Sequence, residues 1–289
     1  MQPKLEKIPL TLSSSIAVKR ETVPYLDYPW HYHPEYEIVY HEKSFGLRFI
    51  GNHIGNFSDG DLMFLGANLP HVWKNDKEFH QDRNDLFVDV YVIHFPENAL
   101  TQGFFNLPEM AHIKKLFALG TQGLLIKGKD HLKIATLVKD VVNAEGIERL
   151  LLFLKTLDAM ARTKDYELLS GPGYVNSMKT PGTERINTIM NFVTEHYAEE
   201  INIEEVARLA NLSISSFCRY FKNRTHKTFS QFLNEIRILN ACKDLINTDE
   251  TITQICYGNG YNNISHFNRQ FKIKTGLTAK EYKKKHAAT

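Results

Sequence analysis

The sequence predicts an α+β chain: an N-terminal antiparallel β-barrel with helices after it, then a separate all-helical segment built on a repeated two-helix unit. Three observations predict this. Apolar residues alternate with a period of two between about Tyr25 and Phe95, then recur at three- and four-residue steps from Pro108 onward. A breaker-rich stretch from Ser170 to Gly182 separates the two halves. Finally, Phe217-Cys-Arg219-Tyr-Phe221-Lys222 returns fifty positions later as Phe267-Asn-Arg269-Gln-Phe271-Lys272.

The strands come first. Tyr36, Ile38 and Tyr40 alternate with Glu37 and Val39; Gly46 to Ile50, Asp61 to Leu65 and Leu86 to Phe95 follow, punctuated by Gly51-Asn52 and Ser58-Asp59-Gly60. Short strands separated by such turns suit a small antiparallel barrel over residues 1–107. Between Pro108 and Leu169 the pattern reads as helical: Ile134, Leu137, Val138, Val141 and Val142, then Ile147, Leu150, Leu151, Leu154, Leu157 and Met160. Apolar on more than one face, this 108–170 region is suited to pack on the barrel and against a second subunit, coupling and dimerising the chain. Residues 171–183 read as a linker, and 184–289 as the helical domain.

Composition bounds the function. Of 289 residues, 43% are hydrophobic and 24% charged, the balance of an ordinary globular protein of two domains. The first twenty residues lack a signal-peptide core, and no later run is long enough to span a bilayer, so a cytoplasmic protein without a membrane partner is expected. Cys218, Cys242 and Cys256 form no CxxC pair and fit reduced thiols. The net charge of +2 hides an asymmetry: from Asn211 onward there are 13 Lys and Arg against 5 Asp and Glu. A basic terminal segment behind a slightly acidic body is the footprint of a polyanion-binding module.

After the linker four stretches fit a capping box, in which an N-cap side chain and a Glu or Gln three residues on satisfy each other's backbone N–H groups: Asn202–Glu205, Thr228–Gln231, Thr251–Gln254 and Thr278–Glu281. In each repeat a short helix carries a small residue, Ala207 or Cys256, where the next helix crosses. A turn follows whose positive-φ position takes Asn211 or Gly260. A second helix then buries phenylalanines at i and i+4 and leaves Arg on the opposite side, the pattern of a helix-turn-helix.

On these residues the segment from about Arg185 to Lys284 resembles the DNA-binding domain of the AraC/XylS family of transcription regulators. The resemblance rests on Ile203 to Ala207, Ser213 to Lys222, the linking helix from Phe232 to Cys242, and Gly260 to Lys272. Cys256 stands in place of the usual alanine, and Thr278-Ala279 where Ser-Pro is common. The resemblance implies groove-facing positions at Ile214, Ser215, Cys218 and Arg219 in the first unit and at Ile264, Ser265, Asn268 and Arg269 in the second. Arginine suits guanine and asparagine suits adenine. Lys222, Arg224, Lys227, Lys272 and Lys274 are expected to hold phosphates. A linking helix at about 229–246 would set both units on one face of double-stranded DNA. A homodimer, activation of transcription and contact with RNA polymerase are further implications.

In the amino-terminal half, His31, His33, Glu35 and Glu37 are expected on one face of a single strand, with Tyr32, Tyr36 and Ile38 on the other. His-x-His followed by Glu resembles the first motif of the cupin barrels, and Gly60, His71 and Asn75 have the spacing of the second. Tyr25, Ser44, Gly66 and Asn68 depart from those motifs. What the resemblance implies is a cupin-like sensor in which His31, His33, Glu37, His71 and Trp73 meet a small-molecule effector, a sugar being the family-level expectation. His31, His33, Glu37 and His71 could also bind zinc, manganese, iron or nickel. His41, His53, His80 and His94 read as ordinary polar residues. The competing reading is a metal-dependent cupin enzyme fused to a DNA-binding domain. No GxSxG, GxGxxG or GxxxxGK accompanies it, so no catalytic residue is assigned.

Overall fold

A computed structural model describes residues 4–6, 8, 15–81, 85–171 and 183–286. The chain divides into two compact units, Gln2–Pro181 and Gly182–Thr289. All but the two ends of the 171–183 stretch read as a linker lies outside the described residues.

The first unit contains β1 (Lys4–Leu5), β2 (Ala17–Val23), β3 (His31–Tyr32), β4 (Tyr36–Lys43), β5 (Gly46–Ile50), β6 (His53–Phe57), β7 (Leu62–Leu65), β8 (His71–Asn75) and β9 (Val88–Phe95). After them come α1 (Ala111–Gly120), β10 (Leu124–Ile126), α2 (His131–Asn143), α3 (Gly146–Arg162) and β11 (Tyr166–Leu168). The strands form two sheets, β1-β3-β8-β5-β6 and β11-β10-β7-β4-β9-β2. All pairings are antiparallel except the short β1–β3 pair.

This is an α+β unit, but its sheets do not close into the expected barrel. One cause is local: the chain bends at His33, Pro34 and Glu35, leaving the first sheet after β3 and entering the second at β4. The other is that β10 and β11 arise within the stretch whose periodicity reads as wholly helical, and they extend the larger sheet beyond β7.

Alternation along the central strands of the larger sheet serves two cores. Ile38, Tyr40, Leu62, Phe64, Tyr91, Ile93 and Phe95 face the helices, where Phe117, Ile134, Val138, Phe153 and Leu157 complete one cluster. Val39, Met63, Leu65, Val88, Val90 and Val92 face the smaller sheet and pack with Ile50, Phe57 and Trp73. With both faces covered, β9 is buried along its whole length, which is why its sequence reads as an almost continuous apolar run. Gly66 permits the approach of α1: a Cβ there would lie 2.5 Å from the carbonyl carbon of Gly120. The backbone N–H of Gly66 donates to the Gly120 carbonyl at 2.8 Å.

The second unit contains α4 (Thr183–His196), α5 (Ile203–Leu209), α6 (Ile214–Thr225), α7 (Phe229–Asn247), α8 (Ile252–Gly258), α9 (Ile264–Thr275) and α10 (Ala279–His286). Reciprocal capping boxes start α7 and α8, and Thr278 with Glu281 makes the same exchange before α10. Asn202 differs from the expectation: it caps α5 by accepting from the N–H of Glu204, without a reciprocal partner at Glu205. Ser213 and Asn263 cap α6 and α9 by accepting from the N–H groups of Ser216 and His266. Phe217 and Phe221 pack on Phe229 and Phe232, while Phe267 and Phe271 join Ile238, Cys242, Leu245 and Tyr261 in a second core. Among the described residues, no helix is long and apolar enough to cross a membrane.

Candidate effector pocket and nucleic-acid interface

Period-two geometry aims the first site. Glu37 and His41 share a face of β4 with Val39, and His94 shares a face of β9 with Val88, Val90 and Val92; all turn toward the smaller sheet. From that sheet β3 and β8 bring His31 directly opposite His71, with Trp73 two residues along. His33 sits at the bend between the sheets, its carbonyl accepting from Asn68 N–H at 2.8 Å. His31, His33, Glu37, His71 and Trp73 therefore meet, but not as residues of one strand. Glu35 does not join Glu37: its carbonyl binds His33 Nδ1 at 3.0 Å, and its carboxylate stands 3.7 Å from the same nitrogen.

A carbonyl oxygen only accepts, so each of three imidazoles must donate from Nδ1: His31 to Pro29 O at 2.8 Å, His33 to Glu35 O at 3.0 Å, and His71 to Leu69 O at 2.7 Å. Their Nε2 atoms are left for the site. Those of His33 and His71 stand 3.2 and 2.9 Å from the same oxygen of Glu37, and that of His31 stands 3.1 Å from Glu6. Burial opposes charge on Glu37, yet the surrounding imidazoles of His71, His33 and His94 hold its carboxyl well below the usual range. Burial presses His33 down too, but Glu37 and Glu35 outweigh it and raise its pKa. Burial lowers His31 to about 3, with His71 adding to the effect, so that ring is neutral at physiological pH.

Two further groups belong here that the sequence reading set aside as ordinary. His94 Nε2 lies 3.8 Å from Glu37, and its ring stands edge-on to His33 with centroids 4.8 Å apart. His41 is buried between Phe57 and Trp73, with neither ring nitrogen hydrogen-bonded, and burial lowers it to about 3. A signal for His94 was the parity of β9: it falls on the same face as Val88, Val90 and Val92. The adjoining cavity, about 40 Å³, is lined by Leu26, Tyr28, His31, Glu37, His41, Trp73 and His94 among others. At its mouth Lys19 is held by Glu21 and Tyr28, each at 3.0 Å.

The second site lies on α6 and α9. Each helix buries its phenylalanine pair, completely in both copies, and turns the other side outward. Ile214, Ser215, Cys218, Arg219 and Lys222 are exposed, as are Ser265, Asn268, Arg269 and Lys272; Ile264 is half-buried against the second core. Three basic residues expected at phosphates are engaged elsewhere. Arg224 is buried, with its guanidinium over the Tyr220 ring, and Lys227 and Lys274 both pair with Glu235 of α7.

Residues 206–285 match the model of a helix-turn-helix domain. The uncharacterized HTH-type transcriptional regulator YdeC of Bacillus subtilis (strain 168) is 25% identical over 265 residues, which cover 89% of this chain and 86% of that protein. The HTH-type transcriptional activator RhaS of Enterobacter sp. (strain 638) is 24% identical over 279 residues, 90% of this chain and 88% of that one. The solved C-terminal domain of AraT, a response regulator from Geobacillus stearothermophilus, aligns with 35% of this chain and 84% of its own at 24% identity and a TM-score of 0.34. Two copies of one helix pair, each with a buried phenylalanine pair and an exposed second helix, span the matched helix-turn-helix domain, and along about nine tenths of its length the chain is similar to HTH-type transcriptional regulators.

Proposed function

We propose that the chain reads a specific DNA sequence with α6 and α9, and that a small molecule entering between the two sheets of the first unit modulates that reading. The observation that carries the first part is the matched exposure of Arg219 and Arg269, each on the solvent side of a helix whose other side is anchored by two phenylalanines. In this reading Ile214, Ser215, Cys218, Ser265 and Asn268 meet base edges, Ile264 backs the second set, and Lys222 and Lys272 hold phosphates. RhaS is named an activator, and activation with RNA polymerase as partner is the form of regulation we assign. Exposed Leu132, Ile147 and Leu151 on α2 and α3 supply the surface for a homodimer, so Leu151→Glu should shift the sedimenting species to monomer.

The effector site is the cavity beside Glu37 and Trp73. Its donor set also fits a divalent transition metal such as zinc, manganese, iron or nickel. Three imidazoles, each fixed through Nδ1 by a main-chain carbonyl, turn Nε2 inward, where it becomes a lone-pair donor on loss of any proton it carries, and a carboxylate stands among them. His31, His33, His71 and Glu37 would hold the ion, which when bound supplies a Lewis-acidic position for an oxygen of the effector.

The test is selection of DNA sites with the full chain, followed by binding measurements at several salt concentrations. Arg219→Ala and Arg269→Ala should each weaken the selected site by about 1–3 kcal/mol and relax preference at one position. Lys222→Ala should weaken all sequences alike and flatten the salt dependence. Arginine variants that retain the full sequence preference would overturn the assignment.

A further inference from the structure

We propose that His94 is a fifth protein ligand of the metal centre, making it a four-histidine, one-glutamate site. The inference rests on the metal reading above and adds a residue that reading does not contain.

Two overlapping triads of metal-competent atoms are present among the described residues. One is His31, His33 and His71; the other is His33, Glu37 and His94; within each, the ligand atoms lie within 4.8 Å of one another. His33 belongs to both triads. The Oε2 atom of Glu37 is the common neighbour of His33 Nε2, His71 Nε2 and His94 Nε2, at 3.2, 2.9 and 3.8 Å. The backbone fixes this convergence. Glu37 and His94 are paired residues of β4 and β9, in the middle of a sheet whose two faces are covered, so neither strand can slide without turning a full row of side chains over. His94 also lines the cavity beside the triads, and its ring is buried.

The fifth ligand changes what the centre can do. Three histidines and a glutamate fill a tetrahedral ion, whereas five protein donors suit an ion that accepts five or six ligands. One position of an octahedron then remains for an outside donor. A cavity of about 40 Å³ has room for roughly two or three water-sized groups, which matches the capture of one donor group of an effector. An enzyme that must bind a substrate and a second reactant on the same ion needs two open positions, so the fifth ligand favours sensing over turnover.

The experiment loads the metal-free full chain with Co(II) alone and records its visible absorption and affinity for wild type, His94→Gln, His112→Gln and His33→Ala. Wild type should bind one Co(II) with the weak absorption of a five- or six-coordinate ion. His94→Gln should bind at least about tenfold more weakly and show the stronger absorption of a lower-coordinate ion. His112→Gln, which removes a histidine on α1 that faces Asp158 and lies outside the cavity, should keep the wild-type spectrum, and His33→Ala should lose the ion. A wild type that binds Co(II) with a spectrum and affinity that His94→Gln leaves unchanged overturns the fifth ligand and spares the four-residue centre. A wild type that binds no Co(II) overturns the metal reading itself. Far-UV circular dichroism of each variant separates loss of a ligand from loss of the fold.

Discussion

His226 and Gly276 end α6 and α9 in the same left-handed conformation, at φ 55 and φ 74. The correspondence extends to their neighbours: Thr225 and Thr275 each donate to the carbonyl four residues back and accept from the N–H two residues on. The second copy fills the left-handed position with the residue that takes it without strain; the first does not.

His226→Gly should therefore stabilise the helical unit. A non-glycine residue in that conformation costs about 1–2 kcal/mol, and glycine gives back roughly 0.5–1 kcal/mol through the freedom of the unfolded chain. The net gain is at most about 1.5 kcal/mol, and Gly276→His should lose a comparable amount. Both tryptophans, Trp30 and Trp73, lie in the other unit, so far-UV circular dichroism is the signal to follow. Two swaps that change stability in the same direction would contradict the account.

The turn inside each unit makes a sharper prediction. Asn211 and Gly260 hold the equivalent positive-φ position, at φ 52 and φ 76, but only the glycine is crowded: a Cβ there would lie 2.7 Å from the Tyr197 carbonyl oxygen and 2.9 Å from that of Ala198. Gly260→Ala adds that clash to conformational strain of about 1–3 kcal/mol, and should unfold the second unit or displace α9 and abolish specific DNA binding. Asn211→Gly should be nearly neutral in both assays.

Acid should weaken the first unit through His41. Its folded pKa is lowered to about 3 by burial, below the ordinary value of about 6.5. Above that ordinary value the ring is neutral in both states and contributes no pH dependence. As pH falls below it, the unfolded chain takes up the proton and the folded chain does not, so stability falls by about 1.4 kcal/mol per pH unit until pH approaches 3. Urea titrations followed by tryptophan fluorescence should show a steeper slope than this in metal-free protein, since His31 is lowered likewise, and His41→Phe should reduce it by His41's share. A variant with the full wild-type slope would show that another group carries the titration.

These predictions divide along the line between what local sequence states and what only the fold assembles. The helix-turn-helix pair was legible because its determinants are short-range: caps, a positive-φ residue, and phenylalanines four apart. His94 and His41 were not. His94 joins Glu37 through strand pairing across 57 positions of chain, and no local pattern reports which strand lies beside which. The bend at Pro34 hid the true arrangement of His31, His33 and Glu37, since a continuous strand and a sheet-crossing corner both bring alternate residues together. Arg224 was misread for the opposite reason: charge count places it at a phosphate, while helix geometry turns it inward beside Tyr220.

One carboxylate links the chain after α6 to the end of α9, and its removal should be felt more in DNA binding than in stability. Glu235 of α7 pairs with Lys227, which follows α6, and at 3.3 Å with Lys274 near the end of α9. The three side chains retain about a fifth to a quarter of their exposure, so solvent screening limits the loss of stability in Glu235→Gln to about 1–2 kcal/mol. Binding to a duplex that engages both helices should fall roughly tenfold, about 1.4 kcal/mol, because the units no longer share a fixed reference. Binding to a duplex carrying only one unit's half of the site should hardly change. Adding Lys227→Met to Glu235→Gln should cost little more, since both act through the same pair. Additive losses in that cycle, or equal losses on the full and half sites, would mean that packing along α7 sets the spacing without the ion pairs.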